Sequence, residues 1–208
     1  MKLDYDKDYT KTFHSPGIEP WISGFLKSKG SLGKVLDVGC GLGFSALLLK
    51  LYLGNVEYLV GVDTSPEKIN KARGLNLYDE LYVADIQDFN PESKFDTLIA
   101  LEVLHALPAS VLACIESLVK KGGSIVLALP SLPEGGSVKD LIDRSYVVYR
   151  YLLRGLVMVD LKHYNIYLAG QSRFLKAIKI LLTILKPILK VTKVLERGYL
   201  LAFKQVRR

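Results

Sequence analysis

The sequence predicts a doubly wound α/β fold with a mostly parallel sheet, and three observations carry that prediction. Apolar runs of strand length alternate with helix-length segments from about residue 34 to residue 129, and that alternation implies βαβ units. Strand candidates such as Val35-Leu36-Asp37-Val38 and Ile125-Val126-Leu127-Ala128-Leu129 lack a polar/apolar alternation, as strands buried on both faces do. The run Val35-Leu36-Asp37-Val38-Gly39-Cys40-Gly41-Leu42-Gly43 sets three glycines on alternate positions directly ahead of the apolar segment Phe44 to Leu53. That order reads as a buried strand, a tight loop and a helix. Glycine lets the backbone take positive φ and lets a ligand approach closely. The helix that follows directs its free N–H groups at the same place.

The elements follow in order. Pro16-Gly17 breaks an aromatic, polar start, and Glu19 to Lys29 predicts a short helix carrying Trp21 and Phe25. Lys34 to Val38 is strand one, Phe44 to Leu53 the first core helix, and Glu57 to Val62 strand two, ending in Asp63. Ser65 as cap, Pro66 at the first position and Glu67 in the first turn start a helix that runs to about Arg73, because each suits unpaired N–H groups at a helix start. Leu81 to Ala84 is strand three, and Phe95 to Leu101 strand four. A helix from Ala109 to Val119, a Lys121-Gly122-Gly123 turn and strand five from Ser124 to Leu129 come next. Beyond Pro130, a Tyr-rich helix is expected over Val138 to Leu153 and a sixth strand over Leu156 to Leu161. A long Lys-rich helix over Ser172 to Leu195 and a final strand over Tyr199 to Val206 complete the chain.

Composition narrows the classes. The chain has 208 residues, half of them hydrophobic, enough for one core. Met1 to Thr10 has no apolar core of a secretory signal, and no run of about 18 uncharged apolar residues suggests a membrane span. Cys40 and Cys114 have neither disulfide-framework nor metal-type spacing. A reducing cytoplasm is expected, with no metal. Net charge is +7 and uneven: residues 1–138 carry 13 Lys and Arg against 17 Asp and Glu, a balance of −4. Residues 139–208 carry 15 against 4, a balance of +11, so the basic character belongs to the C-terminal third.

Two ligand classes use a glycine loop after strand one. The dinucleotide fingerprint needs a third glycine where Phe44 stands, and Asp37 ahead of the loop would repel a pyrophosphate but favour a cationic sulfonium. The chain resembles a class I S-adenosylmethionine (SAM)-dependent methyltransferase of the small-molecule type over roughly residues 31–130. Val35 to Gly43 resembles its motif I, and Gly61-Val62-Asp63-Thr64-Ser65 the end of its second strand. Ala84-Asp85-Ile86 resembles the adenine-contacting segment, and Phe95 to Leu104 its motif IV. Lys120-Lys121-Gly122-Gly123 resembles the turn before strand five.

The resemblance implies a Rossmann-like, mostly parallel seven-stranded sheet with an antiparallel last strand and, unusually, a helical C-terminal insertion. It implies a cover segment at 1–30, a SAM-binding core at 31–135, and helices and last strands at 136–208 completing the same domain. It implies that Gly39, Cys40, Gly41 and Gly43 line the methionine end of SAM, whose spent form is S-adenosylhomocysteine (SAH), with Asp37 orienting its amino group. Asp63 would accept the ribose hydroxyls, Thr64 and Leu101 would border the donor, and Asp85 and Ile86 would meet adenine. Asp88 is a competing acid for the last role. Cys40 is read as a small turn residue.

Methyl transfer from a sulfonium gains most from alignment and desolvation, and a base is needed only if the acceptor must lose a proton. Catalytic candidates are Glu102, His105 and His14, the last reaching over the cofactor if the N-terminal segment folds back. Where many relatives read E-V-L-E-H-L, this chain reads Glu102-Val103-Leu104-His105-Ala106-Leu107, which shifts the histidine by one position. His105 is either a relocated base or a structural residue. In Phe174 to Leu195 the lysines at 176, 179, 186, 190 and 193 fall in about one quadrant of a helix. Peripheral contact of 174–195 with a membrane, burial of the apolar face on the sheet, and a cap over the acceptor site are the three readings of that helix. The acceptor is expected to be a small molecule, glycan or lipid. An RNA methyltransferase and a non-catalytic SAM-binding or membrane-associated module are the alternatives, and nucleic acid is disfavoured because the basic stripe lacks interleaved aromatics.

Overall fold

The computed structural model describes residues 19–152, 157–162, 166–168, 173–192 and 200–206. Helix α1 (Glu19–Lys27) precedes strand β1 (Gly33–Val38). Helix α2 begins as Phe44–Ala46 and continues as Leu47–Leu53, more widely wound at its end, where the Gly54 N–H donates to Leu49 O. Then come β2 (Val56–Asp63), α3 (Pro66–Arg73), β3 (Glu80–Val83) and β4 (Phe95–Leu101). A single tight turn, Leu104–Ala106, leads to α4 (Val111–Ser117) and β5 (Val119–Leu129). The remaining elements are α5 (Val138–Asp143), β6 (Val147–Leu152), β7 (Val157–Asp160), β8 (Ile166–Leu168), α6 (Arg173–Thr192) and β9 (Leu200–Gln205).

The strands form one sheet in the order β3-β2-β1-β4-β5-β9-β6-β7-β8. The first five are parallel, and β9 enters antiparallel between β5 and β6, pairing Val126 with Phe203 and Val148 with Ala202. The expected mostly parallel sheet with its antiparallel last strand is therefore present. Nine strands are present where seven are expected: β7 is the expected sixth strand, and β6 and β8 are the additional ones; β7 and β8 pair antiparallel beyond β6. The insertion between β6 and β9 comprises these two strands and α6.

The helix expected over Val138 to Leu153 is corrected. A capping box holds its start, with the Asp140 N–H donating to Ser137 Oγ at 3.1 Å and the Ser137 N–H to Asp140 Oδ2 at 2.8 Å. The helix stops by Arg144, and Ser145 turns the chain at φ +70°. Val147 to Leu152 is a strand instead, because β9 offers Val147 to Arg150 an antiparallel partner.

Side chains from β1 explain the missing polar alternation. Val35 packs with Ile22, Leu26 and Leu49 under α1 and α2. Leu36 and Val38 pack on the other face with Leu112, Ile115 and Leu141 of α4 and α5. Each fully buried aliphatic here contributes about 1.5–3 kcal/mol, so both faces of the strand hold the first glycine in place.

Candidate functional site

The glycine bend lies between β1 and α2, with Gly39, Gly41 and Gly43 at φ +67°, +52° and +90°. These left-handed conformations cost a side-chain-bearing residue about 1–2 kcal/mol. Steric demand differs among the three. A Cβ at Gly39 would collide with Val103, and one at Gly43 would lie 2.8 Å from Leu75 Cδ1, whereas at Gly41 nothing comes nearer than 3.9 Å. Gly41 therefore has an open side.

Four of the bend's N–H groups are engaged within the chain. Those of Gly39 and Cys40 donate to Val62 O at 2.8 and 3.1 Å, and that of Gly43 to Cys40 O at 2.9 Å. The Gly41 N–H donates to Asp63 Oδ2 at 3.0 Å. A phosphate cradle needs such N–H groups aimed at the anion, so this bend is not one. These four N–H groups are internal tethers.

Asp37 is 1% exposed, and its Oδ2 accepts hydrogen bonds from Ser45 Oγ and, at 2.6 Å, from the Tyr78 hydroxyl. Burial pushes its carboxyl up to about 6, against the pull of those two donors. Asp37 lies beneath the bend and not in the cleft wall. The Tyr78 ring fills space that side chains would otherwise need: a Cβ at Gly61 would sit 2.8 Å from its Cε1, and one at Gly43 3.2 Å from its Cε2. Burial, reinforced by the Asp37 charge, raises the phenol far above its ordinary range, so it remains a donor. Burial likewise raises the Cys40 thiol, with the charges of Asp37 and Asp63 adding to it. A buried neutral thiol packed against Gly61 is a filler and not a nucleophile. Ser45 and Tyr78 went unnoticed in the sequence; a hydroxyl two residues past the last glycine was the available signal for Ser45.

An open cleft lies at the C-terminal ends of the parallel strands, where open α/β sheets take their ligands. Val38, Val62, Ala84, Ile86, Val103 and Leu107 form its apolar wall, and Asp63, Thr64 and Asp85 its polar one. Asp63 is fixed by two backbone donors, Gly41 N–H on Oδ2 at 3.0 Å and Ser65 N–H on Oδ1 at 2.9 Å. Each carboxylate oxygen keeps a second acceptor position. The Gln87 N–H orients Asp85 Oδ1 at 2.9 Å, and Ile86 is anchored where its carbonyl accepts the Cys114 thiol at 3.2 Å. Asp88 is exposed and does not line the cleft, whereas Asp85 does.

Other candidates are placed differently. Leu101 is half-buried and packs with the cluster of Val35 and Leu59. His105 is exposed on the turn whose neighbours Val103, Ala106 and Leu107 line the cleft. Glu102, half-buried at the end of β4, has φ +60°, a conformation uncommon outside glycine that concentrates at functional sites. His14 lies outside the described residues. Among the described residues no group of three or more His, Cys, Asp or Glu is placed to hold a metal.

The donor set fits SAM. The wall offers carboxylate acceptors for hydroxyls and an amine, apolar surface for a base, and no Lys or Arg to attract a pyrophosphate.

Comparison with known proteins agrees. Residues 29–163 match the methyltransferase domain family. The tRNA (carboxymethyluridine(34)-5-O)-methyltransferase of Saccharomyces cerevisiae is 32% identical over 60% of this chain and 46% of its own length. The ubiquinone biosynthesis O-methyltransferase of Aeromonas salmonicida is 30% identical over 52% of this chain and 47% of its own. A trans-aconitate 2-methyltransferase of Enterobacter is 34% identical over 46% of this chain and 38% of its own. The chain thus spans about half or less of the curated relatives it matches. The plantazolicin methyltransferase BpumL in complex with SAH has the same fold, with TM-score 0.59 at 18% identity over 98% of this chain and 88% of that one. The DhpI–SAH complex follows at TM-score 0.54 and 17% identity, over 98% and 91%. With the acid-lined cleft and the tethered glycine bend, these matches place the chain in the class I SAM-dependent methyltransferase family, with SAM as its cofactor.

Proposed function

We propose that this chain transfers the methyl group of SAM to a small-molecule acceptor, a glycan or lipid included. The observation that carries the reading is Asp63, clamped by the Gly41 and Ser65 N–H groups at the end of β2 with acceptor capacity left over. Asp63 takes the ribose hydroxyls, Asp85 and Ile86 meet the base, and the open side of Gly41 admits the amino-acid end. Asp37 acts from below by holding the bend. When bound, SAM supplies an electrophilic methyl group on a sulfonium. The chain's own contribution is alignment and exclusion of water by the Val103–Leu107 turn. Glu102, strained at the end of β4, is the candidate to receive a proton where the acceptor must lose one.

The relatives' names cover a tRNA uridine, ubiquinone biosynthesis and trans-aconitate, so the matched region tracks the donor more than the acceptor. A small acceptor is favoured over RNA because the basic segment 174–195 contains one aromatic residue, Phe174, too few for base stacking. Both cysteines are free thiols, in keeping with the reducing cytoplasm we assign.

Calorimetry with SAM, SAH and NAD tests the donor. SAM and SAH are expected to bind and NAD to give no heat. Asp63→Ala should weaken SAH by roughly tenfold to a hundredfold, the worth of about one hydrogen bond to a charged group. Absence of heat with both SAM and SAH on folded protein overturns the reading. Labelled SAM incubated with a cell extract tests the acceptor: label confined to RNA would replace the small-molecule assignment.

A further inference from the structure

Helix α6 carries two apolar faces, and among the described residues one of them is uncovered. Leu175 is buried, and Ile178 and Leu182 pack on the cluster that contains Val159 and Ile166. At 100° per residue Ile180, Leu181 and Ile184 lie on the far side, and they are 62%, 54% and 68% exposed. Single exposed aliphatics are ordinary; three large ones adjoining on one helix form a patch that calls for an occupant.

Charge identifies that occupant. Arg173, Lys176 and Lys179, all exposed, run at i, i+3 spacing beside the patch. From residue 161 to residue 195 the sequence has seven Lys and Arg and no Asp or Glu. A polyanion such as RNA would answer the cations but leave the isoleucines in water, since they have no π-face to stack on. A surface that is both anionic and apolar answers both. No helix among the described residues is long and apolar enough to cross a membrane, which leaves lying in the interface.

We propose that α6 docks the protein on an anionic lipid bilayer. Ile180, Leu181 and Ile184 enter the boundary between headgroups and acyl chains, and Arg173, Lys176 and Lys179 meet the headgroups, the long lysine stems reaching around the helix. The inference stands apart from the choice of acceptor.

Flotation of the full chain with vesicles tests it, comparing equal parts phosphatidylglycerol and phosphatidylcholine with phosphatidylcholine alone. The protein should float with the anionic vesicles and stay behind with the neutral ones. Raising salt from about 0.1 M to about 1 M, which shortens the screening length from about 10 to about 3 Å, should release most of it. The double variant Ile180→Glu/Ile184→Glu should lower vesicle partitioning by roughly tenfold or more while SAH affinity is unchanged. Should that variant misfold, Ser at both positions serves the same comparison. Lys176→Glu/Lys179→Glu should weaken binding and flatten its salt dependence. Failure of the native protein to float with anionic vesicles at low salt overturns the proposal. So does flotation that survives both isoleucine variants, which would mean surface charge alone. An isoleucine variant that turns a dimer into a monomer, with no vesicle binding by the native protein, would assign the face to a second copy and equally overturn it.

Discussion

Tyr78 donates its hydroxyl to Asp37 Oδ2 at 2.6 Å, joining two residues 41 positions apart beneath the glycine bend. The ring also occupies room left by Gly43 and Gly61, so one side chain braces β1, the bend and β2. Tyr78→Phe keeps the ring and removes the donor. Loss of about 1–3 kcal/mol of stability is expected, the worth of a hydrogen bond to a charged group, measured by urea unfolding at neutral pH. Tyr78→Ala should cost more, because it also opens a cavity.

The same carboxyl gives a pH signature. Asp37 titrates near 3.8 when unfolded and near 6 when folded, raised by burial. The folded state therefore holds the extra proton between those values. Its contribution to stability is full below pH about 4 and is lost as pH rises through about 6, a change on the order of 2–3 kcal/mol. Asp96 has the opposite sign: burial works against it, but Lys120 and the Lys34 N–H hold it below its ordinary value, so its contribution falls as pH falls. Subtracting the stability profile of Asp37→Asn from that of the native protein isolates the Asp37 term. The difference should slope downward from pH 4 to pH 6, and a flat difference would remove the buried-carboxylate account.

Gly41 and Gly61 separate binding from folding. A Cβ at Gly61 would stand 2.7 Å from Leu81 Cδ2 and 2.8 Å from Tyr78 Cε1, so Gly61→Ala should cost about 1–3 kcal/mol by overpacking. Gly41→Ala meets no atom nearer than 3.9 Å and pays only for φ +52°, about 1–2 kcal/mol, but its methyl group enters the cofactor's path. Thermal unfolding should therefore mark Gly61→Ala as the more damaged protein, and SAH calorimetry should mark Gly41→Ala.

His105 is exposed and outside the cleft wall. His105→Ala should leave SAH affinity unchanged and turnover within a few-fold of native. A hundredfold or greater fall in turnover at unchanged affinity would restore it as the base. Glu102→Gln is the companion measurement, expected to lower turnover more than SAH affinity for any acceptor that loses a proton.

Much of the site's framework was legible in the sequence because short-range chemistry governs it. Ser65 caps α3 with Pro66 in its first turn, and the three alternate glycines all take positive φ. The partners were not legible, because sequence distance hides them: Tyr78 reaches Asp37 only after β2 pairs with β1 and β3 with β2. The error over β6 has the same origin. Val147 to Leu152 is rich in β-branched and aromatic residues, but the chain's last strand, more than 40 residues on, is what gives it a ladder. On α6 the lysine stripe was readable, whereas its second apolar face emerged only once Leu175 and Ile178 were seen packed against the sheet.

The tethers within Gly39–Gly43 have a kinetic consequence. Donors already committed to Val62, Asp63 and Cys40 leave the nucleoside a finished surface, with little ordering left to perform on arrival. Rapid mixing with SAH should accordingly give a single phase whose rate climbs linearly with ligand concentration, with no plateau from a slow rearrangement of the bend.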